Sequence, residues 1–117
     1  SPVPGERYPV KTFQELTAFV RSLNLTWVAI DRKLNLVVND SKKNQYSFDK
    51  EGRLCYLLTT NQCERYFYDK EGRLSTKIIY ELVSFEDGAT RFKKAICFEY
   101  GEGSNTPIAT TPSVTEF

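Results

Sequence analysis

The segment Tyr46-Ser47-Phe48-Asp49-Lys50-Glu51-Gly52-Arg53-Leu54 returns twenty residues later as Tyr66-Phe67-Tyr68-Asp69-Lys70-Glu71-Gly72-Arg73-Leu74, with Asp-Lys-Glu-Gly-Arg-Leu identical in both copies. An internal repeat constrains a chain more than its composition does, because whatever one copy folds into the other must fold into too. The physical reading of the unit is a β-hairpin. Alternating aromatics run down one strand, aspartate opens the turn by accepting from backbone amides, and glycine supplies the positive φ that closes a bulged four-residue loop. Arg and Leu then begin the return strand. Alanine at Gly52 or Gly72 should therefore cost on the order of 1 kcal/mol.

The rest of the chain extends this pattern. Phe85-Glu86-Asp87-Gly88 reads as a shortened third turn leading into Arg91 to Tyr100. Upstream, Trp27 to Ile30 and Leu34 to Val38 flank the charged turn Asp31-Arg32-Lys33, a first hairpin. Before it, Phe13, Leu16, Phe19, Val20 and Leu23 recur at helical spacing, with Thr12-Phe13-Gln14-Glu15 as a capping box and Asn24 as a stop. The expected fold is α+β: one N-terminal helix packed on an antiparallel meander of six or seven strands, with the helix stripe mostly buried.

Length and punctuation set the boundaries. At 117 residues there is room for one core. All five prolines lie at the ends, at positions 2, 4, 9, 107 and 112. The expected layout is an N-terminal arm (1–10), a single α+β domain (11–102) and a Ser/Thr/Pro-rich tail (103–117).

If alternation runs unbroken through the turns, Tyr46, Phe48, Leu54, Tyr56, Leu58, Tyr66, Tyr68, Leu74, Ile78, Tyr80 and Leu82 share one face, joined by Phe92, Ile96, Phe98 and Tyr100. The other face then carries Arg53, Arg65, Arg73 and Lys77 beside Cys55, Leu57, Phe67, Ile79 and Val83. Cations and aromatics meeting on neighbouring strands are enriched at interface anchors, so Arg53, Arg65, Phe67, Arg73 and Lys77 form the candidate binding set.

Two copies at this spacing resemble the YD repeat of Rhs and teneurin-type proteins, whose core is a Tyr-Asp step followed by x-x-Gly-Arg-Leu. The resemblance covers Tyr46 to Leu58 and Tyr66 to Ile78. It implies the hairpin unit and a secreted, periplasmic or cell-surface setting, with a cytoplasmic one as the alternative; two copies are too few for the shell those families build around a cargo. A weaker similarity links the unit to cell-wall-binding and glucan-binding repeats, but the single tryptophan, Trp27, lies outside both copies.

Several function classes are excluded or disfavoured. There is no histidine, which removes Ser/His/Asp and Cys/His nucleophilic sites and imidazole metal sites built from this chain alone. Sixteen basic against fifteen acidic residues create no field to draw in nucleic acid. No apolar run is long enough to insert in a membrane as a helix. Asp49/Glu51 and Asp69/Glu71 are read as turn residues, since turn chemistry accounts for each, and no metal or cofactor is expected. Cys55, Cys63 and Cys97 allow at most one bond, and the hairpin register puts Cys55 and Cys63 out of step for one. Asn24-Leu25-Thr26 and Asn39-Asp40-Ser41 match the glycosylation acceptor pattern.

The reading is a non-catalytic interaction module, a binder, inhibitor or adaptor, that engages a protein partner through a sheet face or edge. Its alternative is a carbohydrate or other small-ligand binding domain with a tyrosine-lined cleft. A concave pocket with several tyrosines would favour the alternative; a flat exposed patch favours the module.

Overall fold

The computed structural model describes residues 1–30, 35–84 and 86–110. Among the described residues one helix and eight strands follow in chain order, and every strand pairing within the two units described below is antiparallel. The protein is thus mostly β with a short helix. The turn expected at 31–33, the aromatic of the third turn (Phe85) and the last seven residues of the expected tail lie outside the described residues.

Two compact units divide the chain at Thr59/Thr60. The first holds the N-terminal arm, helix α1 (Phe13–Ser22) and strands β1 (Thr26–Ile30), β2 (Leu36–Asn39), β3 (Gln45–Phe48) and β4 (Leu54–Leu58). The Thr12 hydroxyl caps α1 by accepting from the Glu15 amide at 3.0 Å. Asn24 closes it with φ of 53°, the Leu25 amide reaching Val20 O and the Asn24 amide Arg21 O, which is a Schellman ending.

The helix stripe is buried at its middle and not at its ends. Phe19 is buried, Leu16 and Val20 are half-buried, while Phe13 is 80% exposed and Leu23 37%. The reason is local: the rings of Tyr8 and Phe48 both meet Phe19, at centroid distances of 5.2 and 5.3 Å, and complete a three-ring cluster with each other at 5.6 Å. Such edge and tilted contacts suit ring quadrupoles. Phe48, Leu54 and Val38 are the most deeply buried side chains of this unit, and β2 and β3 bury residues on both faces.

The second unit is a four-strand meander of β5 (Gln62–Tyr68), β6 (Leu74–Ser84), β7 (Ala89–Tyr100) and β8 (Pro107–Thr110). Strand β8 comes from the segment expected as a tail. It pairs with β7 from Tyr100↔Pro107 to Cys97↔Thr110, and its proline stands at the strand start, where a missing amide does least harm.

The two repeat turns fold alike. In each, the glycine amide donates to the aspartate carbonyl (3.0 Å in both), and Gly52 and Gly72 have φ of 78° and 81°. One oxygen of Asp49 accepts from the amides of Glu51 and Arg53, and the other from the Arg53 Nε; Asp69 does the same with Glu71 and Arg73. Immediately after the turn, both hairpins slip register by one residue, between Ser47 and Phe48 and between Phe67 and Tyr68. The skipped residues are Cys55 and Ser75, twenty apart, and their side chains donate to Ser47 O and Phe67 O at 3.3 and 3.2 Å. Each hairpin therefore carries a bulge that alternation alone does not count.

Candidate functional site

Antiparallel residues directly opposite each other share a face. Past the bulge, β5 and β6 pair Phe67 with Thr76, Tyr66 with Lys77 and Arg65 with Ile78. The face expected to hold Arg65, Phe67 and Lys77 together is thus not formed: Lys77 lies on the Tyr66 side and Ile78 on the Arg65 side. Within the first unit the same slip sets Tyr46 opposite Leu57, so Tyr56 leaves the Tyr46 face. The physical reason is the same in both hairpins, since one extra residue on the return strand turns over every side chain beyond it.

The structure places the five candidate residues in three settings. Arg65 and Phe67 are exposed neighbours on β5, with the guanidinium carbon 5.8 Å from the ring centroid, inside cation–π reach. Phe67 is 42% exposed, unusual for a phenylalanine inside a strand. Lys77, on the reverse face, donates to Glu64 at 2.7 Å; Glu64 also accepts from Tyr66 Oη and Gln62 Nε2, and Tyr66 and Ile79 beside it are buried. Arg73 and Arg53 are turn residues. Arg53 belongs to the first unit, where its Nε meets Asp49 at 3.0 Å.

Arg73 is held from several sides. Its Nε donates to Asp69 at 2.9 Å, its Nη1 to Ser104 O at 3.2 Å, and its Nη2 approaches Glu71 at 3.5 Å. The guanidinium lies 4.4 Å over the Tyr100 ring, whose hydroxyl donates to Leu74 O at 2.7 Å. Burial works to raise the Asp69 carboxyl's pKa, but hydrogen bonds from the Arg73 amide and guanidinium, together with its charge, outweigh it and hold the carboxyl below the usual range. The Tyr100 phenol is pushed up by burial and by the Asp69 charge. Arg73 is a strut between the turn and the segment before β8.

Around Arg65 and Phe67 the face mixes threonines with apolar side chains. Cross-strand rows run Phe67–Thr76–Cys97–Thr110 and Arg65–Ile78–Ala95, and Ile108, 65% exposed, stands opposite Glu99 on the same side. Sequence reasoning named Arg65 and Phe67 but assigned Ile78 to the other face and missed Ile108; the exposed β8 positions carried no periodic signal long enough to read.

Two clefts of about 430 and 300 Å³ each contain a single tyrosine, Tyr100 in one and Tyr46 in the other. The second is organised by Asp40, whose carboxylate accepts from Asn44 N and Nδ2, Lys42 N and Tyr46 Oη. Among the described residues, no three Cys, Asp or Glu side chains come together as a metal site, and no helix is long and apolar enough to cross a membrane. No protein-family model, curated protein or solved structure matches this chain.

Proposed function

We propose that the protein is a non-catalytic interaction module whose second unit engages a protein partner through the Arg65–Phe67 face of its sheet. The observation that carries this reading is the exposed Phe67 ring with the Arg65 guanidinium against it, on the same face as the half-buried Ile78–Ala95 pair and the exposed Ile108. Arg and aromatic anchors amid small apolar neighbours are what binding hot spots are made of. A face of this kind on a four-strand layer has reason to seek a second layer, and a partner supplies it. Helix α1 serves as that second layer in the first unit, through Phe19 and Phe48. The secreted or surface setting implied by the repeat belongs to the same reading. The tyrosine-cleft alternative draws less support from the two described clefts, each of which holds one tyrosine.

The test is affinity capture with the intact chain and with the double variant Arg65→Glu/Phe67→Ala. Loss of an anchor pair should reduce capture by roughly 30-fold, the scale of a hot spot. Lys94→Glu, on the reverse face opposite Ile79, should leave capture unchanged. Full capture by a folded double variant would rule the face out.

A further inference from the structure

Charge on the Arg65 side of the second unit's sheet is confined to two paired positions. Arg65 on β5 and Glu99 on β7 are exposed, and the other paired positions on that side, from Cys63 and Tyr80 to Ile108 and Thr110, are uncharged. Lys93, left unpaired by the bulge in β7, acts with its charge on Glu81 of the reverse side. Among the described residues neither Arg65 nor Glu99 stands in an ion pair. They do not serve each other, since two strands and two pleat steps put them about 16 Å apart at ordinary sheet spacing. Thr76 lies midway between them, on β6 between Phe67 and Cys97.

We propose that the partner taken by this face is a second copy of the same chain, packed sheet on sheet about a two-fold axis. The inference rests on the Arg65–Phe67 face proposed above and names its occupant. Charge complementarity makes the choice. A face with one cation and one anion on either side of its centre is its own complement: a two-fold axis between the sheets, passing over Thr76, sets Arg65 of each copy against Glu99 of the other. Packed sheets stand about 10 Å apart, a gap that a long arginine and a glutamate span together. Phe67, one strand from the axis, is then covered near the centre of the contact, where aromatic anchors count most. Size sets the strength. Four strands and the steps from Arg65 to Glu99 make a patch of roughly 20 by 20 Å, short of the about 800 Å² per partner of a standard interface. The dimer is therefore weak, with a dissociation constant on the order of 100 μM.

Sedimentation equilibrium of the full chain, from about 10 μM to about 1 mM, brackets that value. The weight-average mass should climb from that of one chain towards that of two. Arg65→Glu and Glu99→Arg each place like charges in both contacts and should weaken association about tenfold. Mixed in equal amounts, the two variants carry opposite signs at every contact, so the mixture should regain the dimer that neither forms well alone. Lys94→Glu, on the reverse face, should associate like the unsubstituted chain. Far-ultraviolet circular dichroism shows that each variant is folded. A chain that stays monomeric throughout, single variants that associate as well as the unsubstituted chain, or a mixture of folded variants that stays monomeric would each overturn the proposal. If no dimer forms while capture of another protein still depends on Arg65 and Phe67, the second copy is refuted and the face stands; if capture is also indifferent to them, both readings fall.

Discussion

Replacing Gly52 by alanine perturbs two things at once, and they can be separated. The first is the backbone: at φ of 78° an L side chain costs about 1 kcal/mol. The second is the arm, because a methyl on Gly52 would overlap the Tyr8 carbonyl oxygen, and backbone on both sides leaves no flexible atom to give way. Release of the arm forfeits the Tyr8 N to Gly52 O bond, worth about 1 kcal/mol, and the Tyr8 ring contacts with Phe19 and Phe48, about 1 kcal/mol each. Part of this returns as chain entropy of the freed arm. The whole substitution should therefore cost about 3 kcal/mol in the intact chain. In a chain lacking residues 1–9 the same substitution should cost only the backbone share, about 1 kcal/mol. Urea unfolding followed by far-ultraviolet circular dichroism on the four proteins of this cycle gives the difference directly. Equal costs with and without the arm would refute the docking of Tyr8 on the turn.

Other substitutions follow the same logic. Phe19→Asp should cost about 4 kcal/mol by breaking the three-ring cluster, whereas Phe13→Ala should stay within about 0.5 kcal/mol; thermal melts compare them. Arg73→Lys keeps the charge but loses the fork that joins Asp69 to Ser104 and the stacking on Tyr100, and should lower stability by about 1–2 kcal/mol in urea. The pH profile has a worked sign. Asp40 and Asp69 sit below their ordinary pKa because hydrogen bonds outweigh burial, and Glu81 because Arg91 donates to it, so these groups stabilise the fold above the unfolded carboxyl range. That stability is lost as pH falls below about 4. Tyr8, Tyr46 and Tyr100 are raised chiefly by burial, so stability should also fall as pH climbs past about 10. A urea midpoint that rose on acidification to pH 3 would contradict the carboxylate assignments.

What the sequence revealed and what it concealed divide along a physical line. Asp69, Gly72 and their first-copy equivalents are legible because a turn is a local object whose residues each do one job. The cap at Thr12 and the stop at Asn24 are legible for the same reason. The faces are not, because alternation assumes one residue per step and the bulges at Cys55 and Ser75 break that count. Since the copies are identical around the turn, both hairpins mislead in the same direction, and alternation puts Lys77 beside Arg65, whereas it lies beside Tyr66 and Glu64. The arm's seat on Gly52 joins residues 44 apart and leaves no periodic trace. Strand β8 hides in a composition that reads as a tail, four residues being too short to show a period.

The most direct test of the binding account is a pair of photo-crosslinkers on opposite faces of the same sheet. Thr76 lies between Phe67 and Cys97 on the Arg65 side, and Lys94 lies opposite Ile79 on the reverse side. With a crosslinking amino acid at each position in turn, captured partner should attach covalently through position 76 and not through position 94. Attachment through 94 with none through 76 would contradict both the proposed face and the register that defines it.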